Sequence, residues 1–362
     1  MKYFLFTLIA LSFICCQSKK EDKAIFIDLS DVEYKAFNKS DFNIADTIRL
    51  QETEKSQLRK IHKISFDDQF IFILDKSLQK VFQFDRNGKF ENRYAPLGDA
   101  PQQADYINDF SLDKKNNIIY ILDVNNRKIL QFDYDGQFVD SKRLAFEAYD
   151  IDLIKSNRIL ARGSFYDEKG FNLRLLDYKN NKVLKKYCEF PKDIFPVDFG
   201  FVTGGTNYQN GFYLYNDPIS YDLSSFSLND QSITKKYKIH FGENRWPDNK
   251  RFNHKDFLNQ LGSNEFNYIT PYFFENENWL FLKYNQANSN KIVDFKYLYY
   301  DKSKKYAQVY SLGKEKTEFL KNTIYAGKDY FYSFKKEGLD KIDKKETQLE
   351  KNPYLIKYKI NL

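Results

Sequence analysis

Residues 70–90 and 118–138 of this chain lie over each other without a gap. Asp75 falls on Asp123, Phe84 and Asp85 on Phe132 and Asp133, Gly88 on Gly136 and Phe90 on Phe138, always 48 residues apart. In the first copy Ile71, Ile73, Val81, Phe82 and Phe84 form short β-branched and aromatic runs with period-two character, the pattern of half-buried strands. Asn87-Gly88 and Asp135-Gly136 are two-residue hairpin signals and predict type I′ turns, whose central residues both need positive φ. Such a sheet cannot bury both faces by itself. It must stack on a neighbour of its own kind, and a repeat of about 40–50 residues made only of short strands marks a propeller blade.

Four more degenerate units follow, over residues 149–190, 198–241, 267–312 and 322 to the end. The last supplies only three clear strands, in TIYA, YFYSF and YLIKYKI. Residues 46–52 (DTIRLQE) precede the first full blade as a strand with no local partner. Pairing them with the C-terminal strand around residues 354–360 closes the ring and removes both sheet edges. The expected fold is therefore all-β: a six-bladed β-propeller of four-stranded antiparallel blades over residues 45–362, closed by an N-terminal strand.

The chain begins with Lys2, an apolar run over residues 3–14, and Cys15-Cys16. That is a secretory signal, too short to remain as a spanning helix. It resembles the bacterial lipoprotein signal, in which a small residue precedes the acylated cysteine, although Phe13 stands where Leu is usual. The resemblance makes residues 1–15 the signal peptide, Cys16 the lipidation site and residues 16–44 a tether and lead-in. The charged stretch QSKKEDKA at 17–24 is similar to the surface-export signal of Bacteroidota lipoproteins. With Cys15 and Cys16 assigned, only Cys188 remains, so no intrachain disulfide is expected. The chain must then rely on its core, for which 18% aromatic residues provide material. Its 57 basic and 50 acidic residues are spread along the chain without a basic stripe, which argues against a nucleic-acid partner.

IRLQET at 48–53, the twin repeats at 71–90 and 120–138, and NPYLIKYKI at 352–360 resemble the six-bladed β-propeller lipoproteins of Bacteroidota, relatives of the NHL-type propellers. Residues 98–106 are similar to that family's Gly-Pro-Gly-Glu-Tyr-like connection but lack the second glycine. The resemblance covers nearly the whole mature chain. It implies an outer-membrane lipoprotein facing the periplasm or the cell surface, with the membrane as one partner through the lipid, and it carries no assigned activity.

Few motifs point to chemistry. Asp85-Arg-Asn-Gly88 and Asp133-Tyr-Asp-Gly136 resemble the start of a calcium loop, but each lacks a ligand position and the distal bidentate Glu, so they read as acidic caps on hairpin turns. His62, His240 and His254 are far apart, and no zinc spacing, nucleophile elbow, P-loop or dinucleotide fingerprint occurs. No metal, cofactor or catalytic residue is assigned. The longest connections, 95–105, 242–266 and 335–353, fall on one face by strand count. Residues 242–266 hold Arg245, Trp246, Arg251 and His254, a mixture of a large aromatic and cations suited to binding hot spots, with DFLNQLGSN a possible short helix. Two function classes stay open. One is a non-catalytic binding or scaffold module for an outer-membrane protein partner or a glycan or peptide ligand. The other is a hydrolase or lyase at the channel mouth, which three or more convergent acids or histidines there would favour.

Overall fold

The computed structural model of the protein describes residues 24–37, 39–163, 170–189, 208–209, 212–216, 221–246, 266–286, 294–311, 325–326, 330–335 and 351–360. Among them are six sheets, each built outward from an innermost strand. The first blade comprises Lys63–Phe66, Phe70–Asp75, Lys80–Asp85 and Phe90–Tyr94, and the second Ile107–Asp113, Ile118–Asp123, Lys128–Asp133 and Phe138–Arg143. The third is Asp150–Lys155, Arg158–Arg162, Phe171–Asp177 and Lys182–Glu189, and the fourth Tyr208–Gln209, Phe212–Asn216, Asp222–Ser227 and Ile233–His240. Tyr268–Glu275, Trp279–Gln286, Asp294–Asp301 and Tyr306–Ser311 make the fifth. In the sixth, Tyr325–Ala326, Phe331–Lys335 and Tyr354–Ile360 are completed from the other end of the chain by Phe42–Arg49.

The central strands are buried on both faces rather than one. Ile71, Phe72, Ile73 and Leu74 are all fully buried. Phe72 and Leu74 pack toward the second blade with Ile121 and Phe132, while Ile71 and Ile73 pack toward the sixth with Tyr332 and Leu355. Each blade thus supplies half of two cores, which is why FIFIL reads as a continuous apolar run.

The repeated aspartate stitches one blade to the next. Asp75, fully buried, accepts the amides of Arg59 and Lys60 at 2.6 and 2.9 Å from the incoming connection, and those of Ser77 and Leu78 in its own turn. Its twin Asp123 accepts the amides of Asp105 and Tyr106 at 2.9 and 3.1 Å. Several N–H donors satisfy the oxygens of each buried carboxylate.

The hairpin turns are not type I′. Gly88 N–H donates to Asp85 C=O at 3.1 Å, and of the two central residues expected to need positive φ only Gly88 has it, at 89°. The strand register slips at Gln83/Phe84, so the turn is a longer one ending in a glycine bulge. The second blade repeats this at Gly136, with the slip at Gln131/Phe132. A Cβ at Gly88 would lie 2.0 Å from the carbonyl oxygen of Arg49, so the glycine also admits the closing strand.

Closure by an N-terminal strand is present, but over Phe42–Arg49 rather than 46–52. Arg49 pairs with Tyr354 and Phe42 with Ile360. Gln51 and Glu52 lie beyond the strand, where Gln51 N–H donates to Gly88 C=O at 2.7 Å and the Gln51 side chain accepts the Phe90 amide at 2.9 Å. Buried Asn352 completes the seam. Its amide group donates to the carbonyls of Gln51 and Ser56 at 2.9 and 2.8 Å and accepts the Leu58 amide at 2.7 Å.

Residues ahead of the closing strand also join the ring. Ile25–Asp28 adds in parallel to the outer strand of the fourth blade, with Phe26 opposite Lys238. Tyr34–Ala36 adds in parallel to the outer strand of the fifth. The segment therefore runs around the rim, covering the outer edges of blades four and five before it becomes the outer strand of blade six.

Asn352→Ala removes three hydrogen bonds at the seam and leaves buried main-chain groups unpaired. It is expected to lower unfolding free energy by at least about 2 kcal/mol, measurable by urea denaturation, whereas an alanine at exposed Glu54 leaves it within about 0.5 kcal/mol.

Candidate functional site

Every inner strand starts at the face where the inter-blade connections arrive. On blades one to three those starts carry charge. Lys63 and Asp150 are the first residues of their strands, and Asp109 and Asp152 are each the third. Arg162 ends the strand next to Asp150 and pairs with it in register. Together these residues form an ionic cluster at the channel mouth.

Part of the cluster is structural. Lys63 Nζ donates to Asp109 Oδ1 at 2.7 Å and to the Phe110 carbonyl at 2.9 Å, linking the first two blades. Asp109 Oδ2 accepts the Ile151 amide at 2.9 Å, and Ser111 Oγ accepts the Leu153 amide at the same distance. These amides lie on the innermost edge of the third blade, where no further strand exists to pair with them. Asn108 adds a bond to the Tyr149 carbonyl and accepts Lys76 Nζ.

The remainder lies on the third blade. Arg162, 4% exposed, directs both Nε and Nη2 at Asp150 Oδ2, at 3.0 and 2.7 Å. Its Nη1 is buried without a hydrogen-bond partner among the described residues. Burial pushes Asp152 up to about 7; Lys63 and Arg162 oppose this, while Asp109 and Asp150 add to it. Burial likewise raises Asp109 despite Lys63. Burial also works against the Lys63 ammonium, but Asp109, Asp152 and Asp150 outweigh it and hold Lys63 above the usual lysine range. The site thus holds one carboxyl group able to exchange a proton near neutral pH, beside two cations.

The residues singled out from sequence lie elsewhere on that face. Arg245 and Trp246 begin the connection into the fifth blade and are both half-buried. The Trp246 amide donates to Tyr221 Oη at 2.6 Å, Tyr221 Oη donates to the Asn267 carbonyl at 2.9 Å, and the indole sits edge-on to Phe266 with centroids 5.1 Å apart. Arg251, His254 and the DFLNQLGSN segment lie outside the described residues, as does Cys16. The structure keeps Arg245 and Trp246 together, on the far side of the ring from the first blade, and does not bring them to the ionic cluster.

The calcium-like turns are occupied by their own backbone. Asp85 Oδ1 accepts the amides of Asn87 and Lys89, each at 2.8 Å, and Asp133 Oδ1 accepts that of Gln137 at 2.7 Å. Among the described residues no group of three His, Cys, Asp or Glu side chains is placed to hold a metal ion. His62 accepts the Lys76 amide through Nδ1 at 3.0 Å, and burial lowers its pKa.

Sequence reading missed the ionic cluster because its members come from three blades. A signal was present: Asp150 and Asp152 alternate with Ile151 and Leu153 in DIDL, which puts both acids on one side of an inner strand.

Asp152 supplies a pH test. Its folded pKa exceeds the unfolded value, so between about pH 4 and 7 the folded state binds the extra proton and stability falls as pH rises. Asp152→Asn removes that fall. Unfolding free energy at pH 8 relative to pH 4 is expected to improve over wild type by up to about 1.4 kcal/mol per unit of pKa difference, read by denaturation at the two pH values.

Comparison with known proteins agrees with the architecture. The profile of a family described as a domain of unknown function, DUF4934, matches residues 25–362, and the chain belongs to that family. A Bacteroides fragilis protein described as exported is 19% identical, with a TM-score of 0.68 over 94% of this chain and 100% of that one. A Bacteroides vulgatus member of the DUF4221 family is 11% identical, with a TM-score of 0.59 over 88% of this chain and 97% of that one. No protein with a curated description matches significantly.

Proposed function

We propose that this member of the DUF4934 family is an exported, lipid-anchored binding or scaffold module, held at the outer membrane through Cys16 and engaging its partner on the face where the inter-blade connections lie. The observation that carries the binding reading is the use of charge at the channel mouth. Asp109 is bonded to Lys63 and the Ile151 amide, and Asp150 takes both bonds from Arg162, so two of the three acids there act as struts between or within blades. The connection that begins at Arg245 and Trp246 is far longer than folding needs, and long connections in compact domains are commonly functional. Its ligand class is a protein surface, a peptide or a glycan. The fit to an exported Bacteroides protein supports the address through fold alone.

A second reading has one observation in its favour. Asp109, Asp150 and Asp152 converge at the mouth, and Asp152 titrates near 7, the range suited to a general acid or base. A hydrolase or lyase there would use Asp152 to donate or accept the proton, with Arg162 and Lys63 stabilising negative charge.

Three experiments test the anchor, the binding reading and the catalytic reading. Cys16→Ser is expected to move the protein from the membrane fraction to the soluble fraction, because loss of the acyl chains removes about 0.8 kcal/mol of membrane affinity per CH₂. Retention in the membrane contradicts the anchor. Partners recovered with the solubilised wild type are then titrated against Arg245→Glu and Trp246→Ala. Loss of at least about 2 kcal/mol of affinity with an unchanged Tm for Arg245→Glu marks recognition. Trp246→Ala, whose ring packs on Phe266, is expected to lower Tm as well. Turnover of a candidate substrate that disappears in Asp152→Asn would replace the binding reading with the catalytic one.

A further inference from the structure

We infer that the rim of the third and fourth blades is a membrane-contacting surface that lies against an anionic lipid headgroup layer. This inference rests on the lipid-anchor reading for its orientation.

Three observations converge on this rim. The first is chain length. Ile25 is the first residue of the strand on the fourth blade, nine residues after Cys16. A fully extended segment of that length spans at most about 30 Å. An acyl chain at Cys16 therefore keeps the outer edge of the fourth blade close to the bilayer, while the first blade stands on the opposite side of the six-membered ring.

The second is charge. The outer strands of these two blades read KVLKKYCE and ITKKYKIH, with Glu189 their only carboxylate. Lys235 and Lys236 pair with Asp222 and Glu275. Lys182, Lys185, Lys186 and Lys238 are exposed and form no ion pair among the described residues. The other outer strands carry less positive charge: FENRY and FNIADTIR each balance one acid with one arginine, FVDSKR sets one Asp against Lys and Arg, and YAQVYS has no charge. The cationic strands are thus gathered where the tether arrives.

The third is exposed apolar surface between those lysines. Phe26 is 56% exposed, opposite Lys238 and beside the His240 ring at a centroid distance of 5.8 Å. Leu184 is 38% exposed on the neighbouring blade. Aromatic and aliphatic side chains flanked by lysines suit the headgroup region, where the apolar parts enter the acyl boundary and the ammonium groups remain at the phosphates.

The test uses the mature chain from residue 16 carrying Cys16→Ser, so that no lipid contributes. Its flotation is measured with phosphatidylcholine vesicles with and without phosphatidylglycerol. Binding is expected only to the anionic vesicles and to weaken as salt is raised. Lys182→Glu/Lys186→Glu/Lys238→Glu is expected to weaken it at least tenfold with Tm unchanged, Phe26→Ser to weaken it less, and Arg93→Glu on the first blade to leave it as it was. No binding by the parent chain, or equal binding by the triple variant, overturns the proposal. Binding to polyglutamate but not to anionic vesicles also overturns it and assigns the rim to an acidic protein. Labelled palmitate incorporation at Cys16 tests the anchor separately, so failure of the anchor and failure of the rim are distinguishable.

Discussion

The structure depends on one antiparallel pairing, that of Phe42–Arg49 with Tyr354–Ile360. A propeller blade buries its faces only against two neighbours, so an open ring would leave two blades with an apolar face in water. Closing the ring with the N-terminal strand joins the chain ends in one sheet and converts a row of stacked units into a closed one. The seam is reinforced by groups the chain supplies from both ends: Asn352 bonds the connection after the closing strand, and Gly88 leaves room for the Arg49 carbonyl. IRLQET and NPYLIKYKI, distant in sequence, meet there, which gives the two motifs a common physical purpose.

The same N-terminal segment addresses a second difficulty of this architecture, the outer edges. Each blade ends in a strand with unpaired backbone groups, a template for association with other chains. Blades four and five are covered by short parallel strands. Blades one to three and six have no such cover among the described residues. Their outer strands carry charge instead, as in FVDSKR and KVLKKYCE, which discourages pairing. The ring is consequently asymmetric, with backbone capping on blades four and five and charge-bearing edges on the uncapped blades.

The channel mouth shows how structural and functional demands share residues. An innermost strand has no neighbour toward the axis, and Asp109, Ser111 and Asn108 satisfy part of that edge from the adjacent blade. Burial at this seam raises the pKa of Asp152, with Asp109 and Asp150 adding to the rise and Lys63 and Arg162 opposing it. A titratable group near neutrality therefore arises from building the ring, and only binding or turnover measured on Asp152→Asn separates use from consequence.

The blade count, the strand positions, the repeated aspartate and the glycine at each turn were legible in the sequence because they recur with the repeat, whereas the burial of the central strands on both faces and the turn type followed from stacking and from a register slip. Arg245 and Trp246 were legible as the start of a long connection. Three things were decided only in three dimensions. The closing register shifted to Phe42–Arg49, and Ile25–Asp28 and Tyr34–Ala36 became parallel edge strands, because backbone pairing at an edge is nearly indifferent to side chains and depends on which edge lies within reach. The ionic cluster of Lys63, Asp109, Asp150, Asp152 and Arg162 has no motif spacing, since its members come from three blades and their pKa values follow from burial that only packing creates. Local periodicity determined what each unit is, and ring closure determined which distant charges face one another.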